Sequence, residues 1–311
     1  MGILNRTPDS FSDGGAFVDE AAARARAQRM VAEGADVIDI GAESTRPGAP
    51  AIDAAEQLAR LGGVVRELAA AAVLVSIDTT SPAVAERALA DGARVVNSVS
   101  LEPAAELARL CARHDAALVL MHSRGAMSAM AGFSVYADDA YGDVVADVSR
   151  ELLLAAERAI AAGLPRQEIW LDPGLGFAKN AAQSLQLCAR LDEICALGHP
   201  VLVGPSRKSF LVGGAGSAGA AAVPPTQRLG ATIAAVLACV ARGARAVRVH
   251  DVAEARQALG FAQRLEQIAT GAAVDLQATG APVDEPRSTE IAKRCQLGDA
   301  RAGAGMGGGR G

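Results

Sequence analysis

The chain has 311 residues, of which 50% are hydrophobic and 21% are charged, and its formal net charge is -5 at pH 7. This composition is typical of a globular protein with a large core. The sequence has no basic block that could neutralise a nucleic-acid backbone, so we do not expect nucleic acid as a partner. No apolar run reaches the about 18 residues of a membrane span, so we do not expect a membrane protein.

Eight short apolar runs recur along the chain, separated by Ala-rich segments of helical length. The runs are rich in Val and Ile and nearly continuous in hydrophobicity, which is typical of parallel strands buried on both faces. In chain order the predicted strands are 2–5, 36–41, 73–78, 94–99, 117–122, 168–172, 200–204 and 245–250. A Gly-Ala pair precedes three of these strands, at residues 34–35, 92–93 and 243–244, and each glycine is expected just past a helix end.

This βα repeat predicts an α/β fold, a (β/α)₈ TIM barrel over residues 1–270. An open, doubly wound sheet is the alternative, but no strand is followed by the G-x-G-x-x-G of a dinucleotide fold. Residues 271–311 are polar and Gly-rich, and we expect a mostly disordered tail with a short helix near residues 289–295. A low-complexity loop is predicted at residues 212–225.

Five cysteines occur in the chain, and none of them forms a C-x-x-C pair. We interpret them as free, mostly buried thiols. An odd cysteine count without a secretory signal predicts a cytoplasmic protein. The five residues are Cys111, Cys188, Cys195, Cys239 and Cys295.

Polar side chains stand at the carboxyl ends of all eight predicted strands, which is where barrel enzymes carry their chemistry. A single aspartate in such a place is more often a helix cap or a loop anchor. Eight polar ends on one rim favour a shared site instead. The groups are Asn5, the segment 41–48, Asp78, Asn97, His122, Asp172, the segment 205–209, and the pair Arg248 and His250. For His122 an anchoring role is the stronger interpretation.

The chemistry of these side chains suggests two adjoining pockets. Asp78, Asn97 and Asp172 suit a flat heterocycle with adjacent N–H groups, and Lys208 could donate to its ring carbonyl. An anion-seeking set consists of Arg46, Ser206, Arg248 and His250. Asn5 offers the neutral oxygen that Mg²⁺ accepts beside phosphates. Together they suggest transfer of a heterocyclic group with loss of pyrophosphate.

Eight motifs at these strand ends resemble those of the dihydropteroate synthase family. In chain order they are MGILNRTPDSFSDGG (1–15), DIGAESTRPGA (39–49), SIDTTSPAVA (76–85), NSVS (97–100), LVLMH (118–122), LDPGLGFAKN (171–180), GPSRKSF (204–210) and RVHDV (248–252). The resemblance extends from Met1 to about Arg264. It implies a (β/α)₈ transferase, usually a homodimer. The implied reaction of folate biosynthesis joins 6-hydroxymethyl-7,8-dihydropterin diphosphate to 4-aminobenzoate, giving 7,8-dihydropteroate and pyrophosphate.

The resemblance also implies a role for each matching position. The pterin is expected at Asp78, Asn97, Asp172, Lys208 and Arg248, all except Asn97 also being catalytic candidates. The pyrophosphate is expected at Asn5, Arg248 and His250, with Asn5 as the protein ligand of Mg²⁺. The 4-aminobenzoate is expected at Phe11, Thr45, Arg46, Pro47, Phe177 and Ser206. The loops 6–15 and 43–49 are expected to close over the substrates, and the role of Glu43 stays open.

The chain departs from the family pattern at several positions. Arg6, Ala42, Ser98 and Ala178 replace the usual residues, and Leu211-Val212 replaces a usual Ile/Leu-Gly. Several of these lie near the expected aminobenzoate side, where sulfonamides compete, so we hypothesise a sulfonamide-insensitive form. Two alternatives are a catalytically silent pterin-binding paralogue and a barrel resembling methyltetrahydrofolate methyltransferases.

Overall fold

The structure is a computed structural model that describes residues 1–7, 20–43, 51–125, 136–213 and 223–270. Four of the residues expected around 4-aminobenzoate, Phe11, Thr45, Arg46 and Pro47, lie outside these ranges. The predicted tail and its short helix also lie outside them, so the boundary at residue 270 stays a prediction. Most of the predicted low-complexity loop, and most of the two loops expected to close over the substrates, is likewise not described.

Eight parallel strands occur in the described part of the chain. They are β1 (Gly2–Asn5), β2 (Ile38–Gly41), β3 (Val75–Asp78), β4 (Val95–Ser98), β5 (Ala117–Met121), β6 (Ile169–Asp172), β7 (Leu202–Val203) and β8 (Ala246–Val247). The first six form one sheet in sequence order, and β7 pairs with β8 in a second, two-stranded sheet. All of these pairings are parallel, as the continuous hydrophobicity of the strands predicted.

Isolated bridges join the two sheets into a closed barrel. Leu171 of β6 bridges to Val201, just before β7, and Gly2 of β1 bridges to Val249, just after β8. The Ile3 amide donates to the Val249 carbonyl over 3.0 Å. Because β1 thus has partners on both sides, the (β/α)₈ prediction is confirmed and the open-sheet alternative is wrong.

Helices surround the barrel. They are α1 (Glu20–Ala32), α2 (Ala54–Leu61), α3 (Val64–Ala70), α4 (Pro82–Ala90), α5 (Ala104–Arg113), α6 (Val144–Ala161), α7 (Ala181–Ala189), α8 (Leu191–Cys195), α9 (Leu229–Ala241) and α10 (Val252–Ala269). Short polar residues start several of them: Ser81 caps α4, and Asn180 forms a reciprocal capping box with Gln183 at α7. Gly34, Gly92 and Gly243 all have φ near +100°, as expected for glycines that end a helix.

The core lies between the strands and the helical ring. Ile38, Ile40 and Ile77 are fully buried in it, in one cluster with small side chains of the helices such as Ala27 and Ala85. Four cysteines are free thiols in the described residues, which agrees with the expectation for them. None of the helices in the described ranges is long and apolar enough to cross a membrane.

Candidate functional site

Four strands place one row of residues across the carboxyl rim of the barrel. In the parallel register Asn5 is opposite Gly41, Gly41 is opposite Asp78, and Asp78 is opposite Asn97. A Cβ atom on Gly41 would lie 3.6 Å from Asp78 Oδ2 and 3.8 Å from Asn5 Oδ1. The missing side chain therefore leaves Asn5 and Asp78 facing each other across a gap.

Arg248 joins this row to a deeper carboxylate. Its Nε donates to Asp39 Oδ2 over 2.6 Å, and its Nη2 donates to Asp78 Oδ2 over 2.7 Å. Asn97 Nδ2 also donates to Asp39 Oδ2, over 3.1 Å, so the amide oxygen of Asn97 is free to point towards the rim. Asp39 is fully buried and was missed by the sequence analysis. A charged residue inside the apolar run 36–41 was the signal that could have found it.

Asp78 is a buried acceptor that is only half used. Its Oδ1 has no hydrogen-bond partner within the described part of the chain, and its side chain is almost inaccessible. Burial raises the pKa of this carboxyl to about 7, against the opposing effect of Arg248, and the nearby carboxylates Asp39 and Glu43 add to the rise. A donor from a ligand could satisfy the free oxygen.

Asp172 closes the opposite side of the rim at the end of β6. Its Oδ1 accepts the Gly174 amide over 2.7 Å, which fixes the carboxylate at the start of the β6–α7 loop, residues 173–180. Burial raises the pKa of this carboxyl, while Lys208 opposes the rise. Asp78 and Asp172 are both buried and near enough for Asp172 to raise the pKa of Asp78, so hydrogen-bond donors to them are strongly favoured.

Lys208 lies over the same loop. Its Nζ donates to the Leu175 carbonyl over 2.6 Å and stands 4.3 Å from the centroid of the Phe177 ring. Burial lowers the pKa of Lys208 to about 8, with Asp172 opposing. A Cβ atom on Gly204 would lie 3.8 Å from Arg248 Cβ and 4.0 Å from Lys208 Nζ, so the two cations are neighbours across the end of β7.

Ser206 and His250 form a pair at the ends of β7 and β8. The His250 amide donates to Ser206 Oγ over 3.2 Å, and Ser206 Oγ lies 3.0 Å from His250 Nδ1. With the backbone amide as donor, the hydroxyl proton is free to go to Nδ1, which leaves Nε2 as the N–H of the imidazole. Burial lowers the pKa of His250 to about 4, and Arg207 and Arg248 add to this, so the ring is neutral at pH 7.

Arg207 holds the loop between β7 and α9 in place. It has a left-handed backbone with φ of 59°, its guanidinium pairs with Asp251, and its carbonyl accepts a hydrogen bond from Arg228 Nη1 over 2.7 Å. A non-glycine residue in this conformation is strained, so the contacts on both sides are needed to keep Ser206 and Lys208 where they are.

A second buried polar cluster lies under the β6–α7 loop. His122, at the end of β5, has Nε2 2.9 Å from Glu151 Oε2 and Nδ1 3.0 Å from Lys179 Nζ. Glu151 also pairs with Arg124, which covers the ring of Tyr141 at 4.0 Å. In the described structure His122 therefore anchors neighbouring segments, which is the role that we preferred for it from the sequence. Lys179 and Glu151 were missed by the sequence analysis.

Glu43 has an anchoring role that the sequence left open. Its carboxylate accepts the Ile52 amide and Gln57 Nε2, both over 3.2 Å, and Gln57 in turn accepts Thr79 Oγ1 over 3.1 Å. Glu43 thereby ties together the two described ends of the segment 44–50, which includes three of the residues expected around 4-aminobenzoate.

The described rim brings together nine of the predicted site residues. They are Asn5, Asp78, Asn97, Asp172, Phe177, Ser206, Lys208, Arg248 and His250. Three residues that depart from the family pattern are neighbours of these site residues in the chain. Arg6 is buried and its Nε donates to the Arg60 carbonyl, and Ser98 Oγ donates to the Ser100 carbonyl over 2.7 Å. Ala178 has a φ of 49°.

Comparisons with known proteins agree with this arrangement. A family model described as "Pterin binding enzyme" matches residues 1–250. The dihydropteroate synthase of Mycobacterium leprae is 44% identical over 262 residues, which cover 83% of this chain and 90% of the relative.

Solved structures give the same result. Dihydropteroate synthase from Xanthomonas albilineans with 4-aminobenzoic acid aligns with a TM-score of 0.74 at 40% identity, covering 85% of this chain and 92% of that chain. The Thermus thermophilus enzyme in complex with 6HMPPP aligns with a TM-score of 0.69 at 41% identity, covering 85% of this chain and 93% of that chain. The chain belongs to the dihydropteroate synthase family of pterin-binding enzymes.

Proposed function

We propose that the rim described above is where this chain joins 6-hydroxymethyl-7,8-dihydropterin diphosphate to 4-aminobenzoate. The observation that carries this assignment is the buried acceptor set: Asp78 with a free Oδ1, Asn97 held by Asp39, and Asp172 across the rim. Two cationic side chains, Lys208 and Arg248, and the N–H of His250 lie beside it. This is the donor–acceptor pattern that a pterin ring next to a diphosphate requires.

The acceptors would hold the pterin ring. A carboxylate such as Asp172 takes two parallel N–H groups from a 2-amino-pyrimidinone edge, while Lys208 donates to the ring carbonyl. Arg248 now occupies Asp78 Oδ2, so a pterin that donates to Asp78 competes with that ion pair or uses the free Oδ1. Asp172 would also stabilise the positive charge that builds on the pterin methylene carbon.

The leaving group would meet the donors at the ends of β1, β7 and β8. His250 offers its Nε2–H and Arg248 its guanidinium, both preorganised by the contacts described above. The C–O bond to pyrophosphate breaks as these donors stabilise the developing negative charge. Removing one such preorganised donor commonly costs about 10²–10³ in rate.

Mg²⁺ is the cofactor that the family resemblance implies. In the described ranges no three His, Cys, Asp or Glu side chains form a metal cluster. Mg²⁺ beside phosphates needs few protein ligands because it keeps several waters, so the half-buried Asn5 with its oxygen turned to the gap above Gly41 fits such a site. The bound ion would neutralise charge on the leaving phosphates.

The arylamine would approach from the side of Phe177 and Ser206. Its nitrogen is neutral at pH 7, so it attacks the methylene carbon without a strong general base and loses its proton to solvent once the C–N bond has formed. Phe177 and the expected Phe11, Thr45, Arg46 and Pro47 would enclose the ring and exclude water from the reactive carbon.

The hypothesis of sulfonamide insensitivity concerns the 4-aminobenzoate side of the site. It is supported by the residues that differ from the family pattern at Arg6, Ser98 and Leu211–Val212, none of which replaces a residue assigned to pterin or pyrophosphate. A resistance role for the chain in folate biosynthesis follows only if the drug fails to compete with 4-aminobenzoate.

We further propose a cytoplasmic homodimer. Free thiols suit a reducing compartment. Apolar side chains are exposed on three neighbouring helices: Leu185 on α7, Val240 on α9, and Phe261, Leu265 and Ile268 on α10. An apolar face of this kind, hereafter the α7–α9–α10 face, is typical of a subunit interface, and a second copy of the chain is the occupant that we propose.

Pyrophosphate release by the purified chain tests the function. The mixture contains the dihydropterin diphosphate, 4-aminobenzoate and Mg²⁺, each also omitted in turn, with and without sulfamethoxazole. Release that requires the arylamine supports the synthase, and release without pterin transfer contradicts it. Pterin binding with no release favours the silent paralogue. Undiminished turnover in sulfamethoxazole supports insensitivity, and ordinary competition rejects it.

A further inference from the structure

We propose that Lys179 is a positioning residue for this reaction. It is a buried ammonium that fastens the β6–α7 loop to the end of β5 and supplies a positive charge near Asp172, since both side chains hydrogen-bond to Gly174. The inference rests on the proposed function, since it concerns the binding of the pterin substrate. No role for Lys179 follows from the strand-end pattern, because the residue lies within a loop.

Lys179 is fully buried and surrounded by acceptors. Its Nζ lies 2.9 Å from the Phe177 carbonyl, 3.1 Å from the Gly174 carbonyl, 3.3 Å from the His122 carbonyl and 3.0 Å from His122 Nδ1. A lysine is almost never buried in this way unless its hydrogen bonds are satisfied. Four acceptors converge on this one nitrogen.

The hydrogen-bond geometry around Lys179 Nζ suits an ammonium. Glu151 accepts from His122 Nε2, which leaves Nδ1 of the neutral imidazole as an acceptor facing Nζ. An ammonium has three N–H groups to donate to these acceptors. A neutral amine has only two, and its lone pair would point at one of the acceptors, which is unfavourable. Burial lowers the pKa of Lys179 well below its ordinary value, Asp172 opposes this, and the four acceptors hold the three N–H groups of the ammonium. Burial likewise lowers the pKa of His122 to about 4, and the Lys179 charge adds to it.

The loop that Lys179 fastens carries three contacts of the site. The Gly174 amide holds Asp172, the Leu175 carbonyl accepts Lys208, and the Phe177 ring lies under the Lys208 ammonium. Two of the carbonyls that accept Lys179 belong to Gly174 and Phe177 themselves. A shift of the loop would therefore move Asp172 and Lys208 together.

The conformation of the β6–α7 loop is strained and depends on side-chain contacts. A Cβ atom on Gly174 would lie 2.0 Å from the His122 carbonyl oxygen, which shows how closely the loop packs on β5. Ala178 has a left-handed φ of 49°, which is unfavourable for a residue with a Cβ. Two side-chain contacts offset this strain: Lys179, and Tyr141, whose hydroxyl donates to the Ala178 carbonyl over 2.8 Å.

The charge of Lys179 acts on Asp172 independently of the ligand. The charged or titratable groups that face Asp172 are Lys208, Lys179, Arg248, Asp78 and Cys239, and those that face Lys179 are Asp172, Lys208, Arg124, Glu151 and His122. Lys208 and Arg248 stand at the rim, where the pterin diphosphate would engage them. Lys179 is enclosed by its loop and stays in place when the substrate binds.

Binding of the dihydropterin diphosphate as a function of pH tests the proposal. The dissociation constant is measured by calorimetry between pH 5.5 and 8 for the wild type, Lys179→Met and Tyr141→Phe. Loss of the cation leaves the Asp172 carboxylate less stabilised, so its protonation reaches higher pH. We expect Lys179→Met to weaken binding at least tenfold at pH 7 and to move the acidic midpoint up by about one unit.

Tyr141→Phe is the matched control, because it removes a loop contact and no charge. We expect Tyr141→Phe to weaken binding by the same factor at every pH, without moving the acidic midpoint of the binding curve. The ligand's own titration is common to all variants, so a difference between midpoints reports on the protein. If Lys179→Met does not fold, Lys179→Gln, which keeps two N–H donors, takes its place.

An unmoved midpoint in the lysine variant, or an equal shift in Tyr141→Phe, would overturn the proposal. Either result would reduce Lys179 to a structural contact. A wild type that does not bind the dihydropterin diphosphate would instead contradict the proposed function. The two failures are thus told apart by the wild-type titration alone.

Discussion

At the scale of single residues, the site depends on buried charges that share partners. Arg248 lies between Asp39 and Asp78, and Asp39 also holds Asn97. Removing one member of such a group leaves another buried charge less compensated, which is costly in a low-dielectric interior. Asp39 touches no predicted substrate atom, so its contribution is to set the positions of Arg248 and Asn97.

Asp39→Asn should lower kcat/KM for the dihydropterin diphosphate by about tenfold to a hundredfold. The neutral amide no longer offers a charged acceptor to Arg248 and Asn97, and losing the charge at such a hydrogen bond costs about 1–3 kcal/mol. Steady-state kinetics measure the effect. Asp36→Asn, before the amino end of the same strand, is the control and should keep wild-type kinetics. Equal kinetics for both variants would contradict the role of Asp39.

Asp39 and Lys179 show why sequence reasoning found only part of the site. The strand-end rule located Asp78, Asn97, Asp172 and His250, because a strand that ends at the rim puts its last polar residue there. Asp39 lies inside its strand, two residues before the end. Lys179 lies in a loop whose path depends on long-range contacts with His122, which local patterns do not encode.

The buried histidine His122 makes stability depend on pH. Its pKa is lowered from 6.5 to about 4, so below pH 6.5 the unfolded chain binds the proton first and the free energy of unfolding falls. Between pH 7 and 5 this amounts to about 2 kcal/mol. The pKa of Glu151 is lowered to about 2 by His122 and Arg124, which affects stability only below about pH 4.5.

Urea unfolding of the wild type and His122→Gln at both pH values checks this. The variant is expected to be less stable at pH 7, and its further loss at pH 5 should be smaller than that of the wild type by about 2 kcal/mol. His250 shifts in the same direction and remains in both proteins, so part of the loss persists. Parallel losses in the two proteins would show that His122 is not the source.

At the scale of elements, the strands were predicted well, whereas the path of the β6–α7 loop could not be predicted. Each predicted strand overlaps an observed one, since a buried parallel strand is a continuous apolar run. All except β1 are shorter than predicted, and the last two are shortened most, with β7 reduced to Leu202–Val203. Isolated bridges provide the pairing beside these two strands. The β6–α7 loop depends on Lys179 and Tyr141, which lie far apart in the sequence.

Ala178→Gly should stabilise this loop. Ala178 has a left-handed φ, a conformation in which glycine has no steric penalty, so we expect a gain of about 1 kcal/mol despite the greater freedom of glycine in the unfolded chain. Thermal unfolding measures it. Ala161→Gly, at the exposed end of α6 with ordinary helical backbone, is the control and should destabilise. A loss of stability in both variants would contradict strain at Ala178.

At the scale of the whole molecule, the barrel is closed, and the α7–α9–α10 face is the surface that we propose for the subunit interface. Barrel closure followed from counting eight βα units, because an apolar strand cannot be left with an open edge. The exposed face was not predicted, since an apolar helix such as α9 reads the same in sequence whether the protein or a partner covers it.

Leu265→Glu should convert the proposed dimer to a monomer. A charge placed in the middle of an apolar interface is desolvated without a partner, which costs several kcal/mol of association free energy. Light scattering coupled to size exclusion measures the mass. Val31→Glu, an exposed apolar residue on α1, is the control and should stay dimeric. A monomeric wild type would exclude this interface.

The most direct test of the account is the rate of 7,8-dihydropteroate formation by the wild type and by Asp172→Asn. We predict that the wild type forms dihydropteroate and pyrophosphate in equal amounts, and that the variant is about a hundredfold slower because the buried carboxylate is lost. Circular dichroism confirms that the variant is folded. No dihydropteroate from the wild type, or an unchanged rate in the variant, would contradict the assignment of the rim as the site of this reaction.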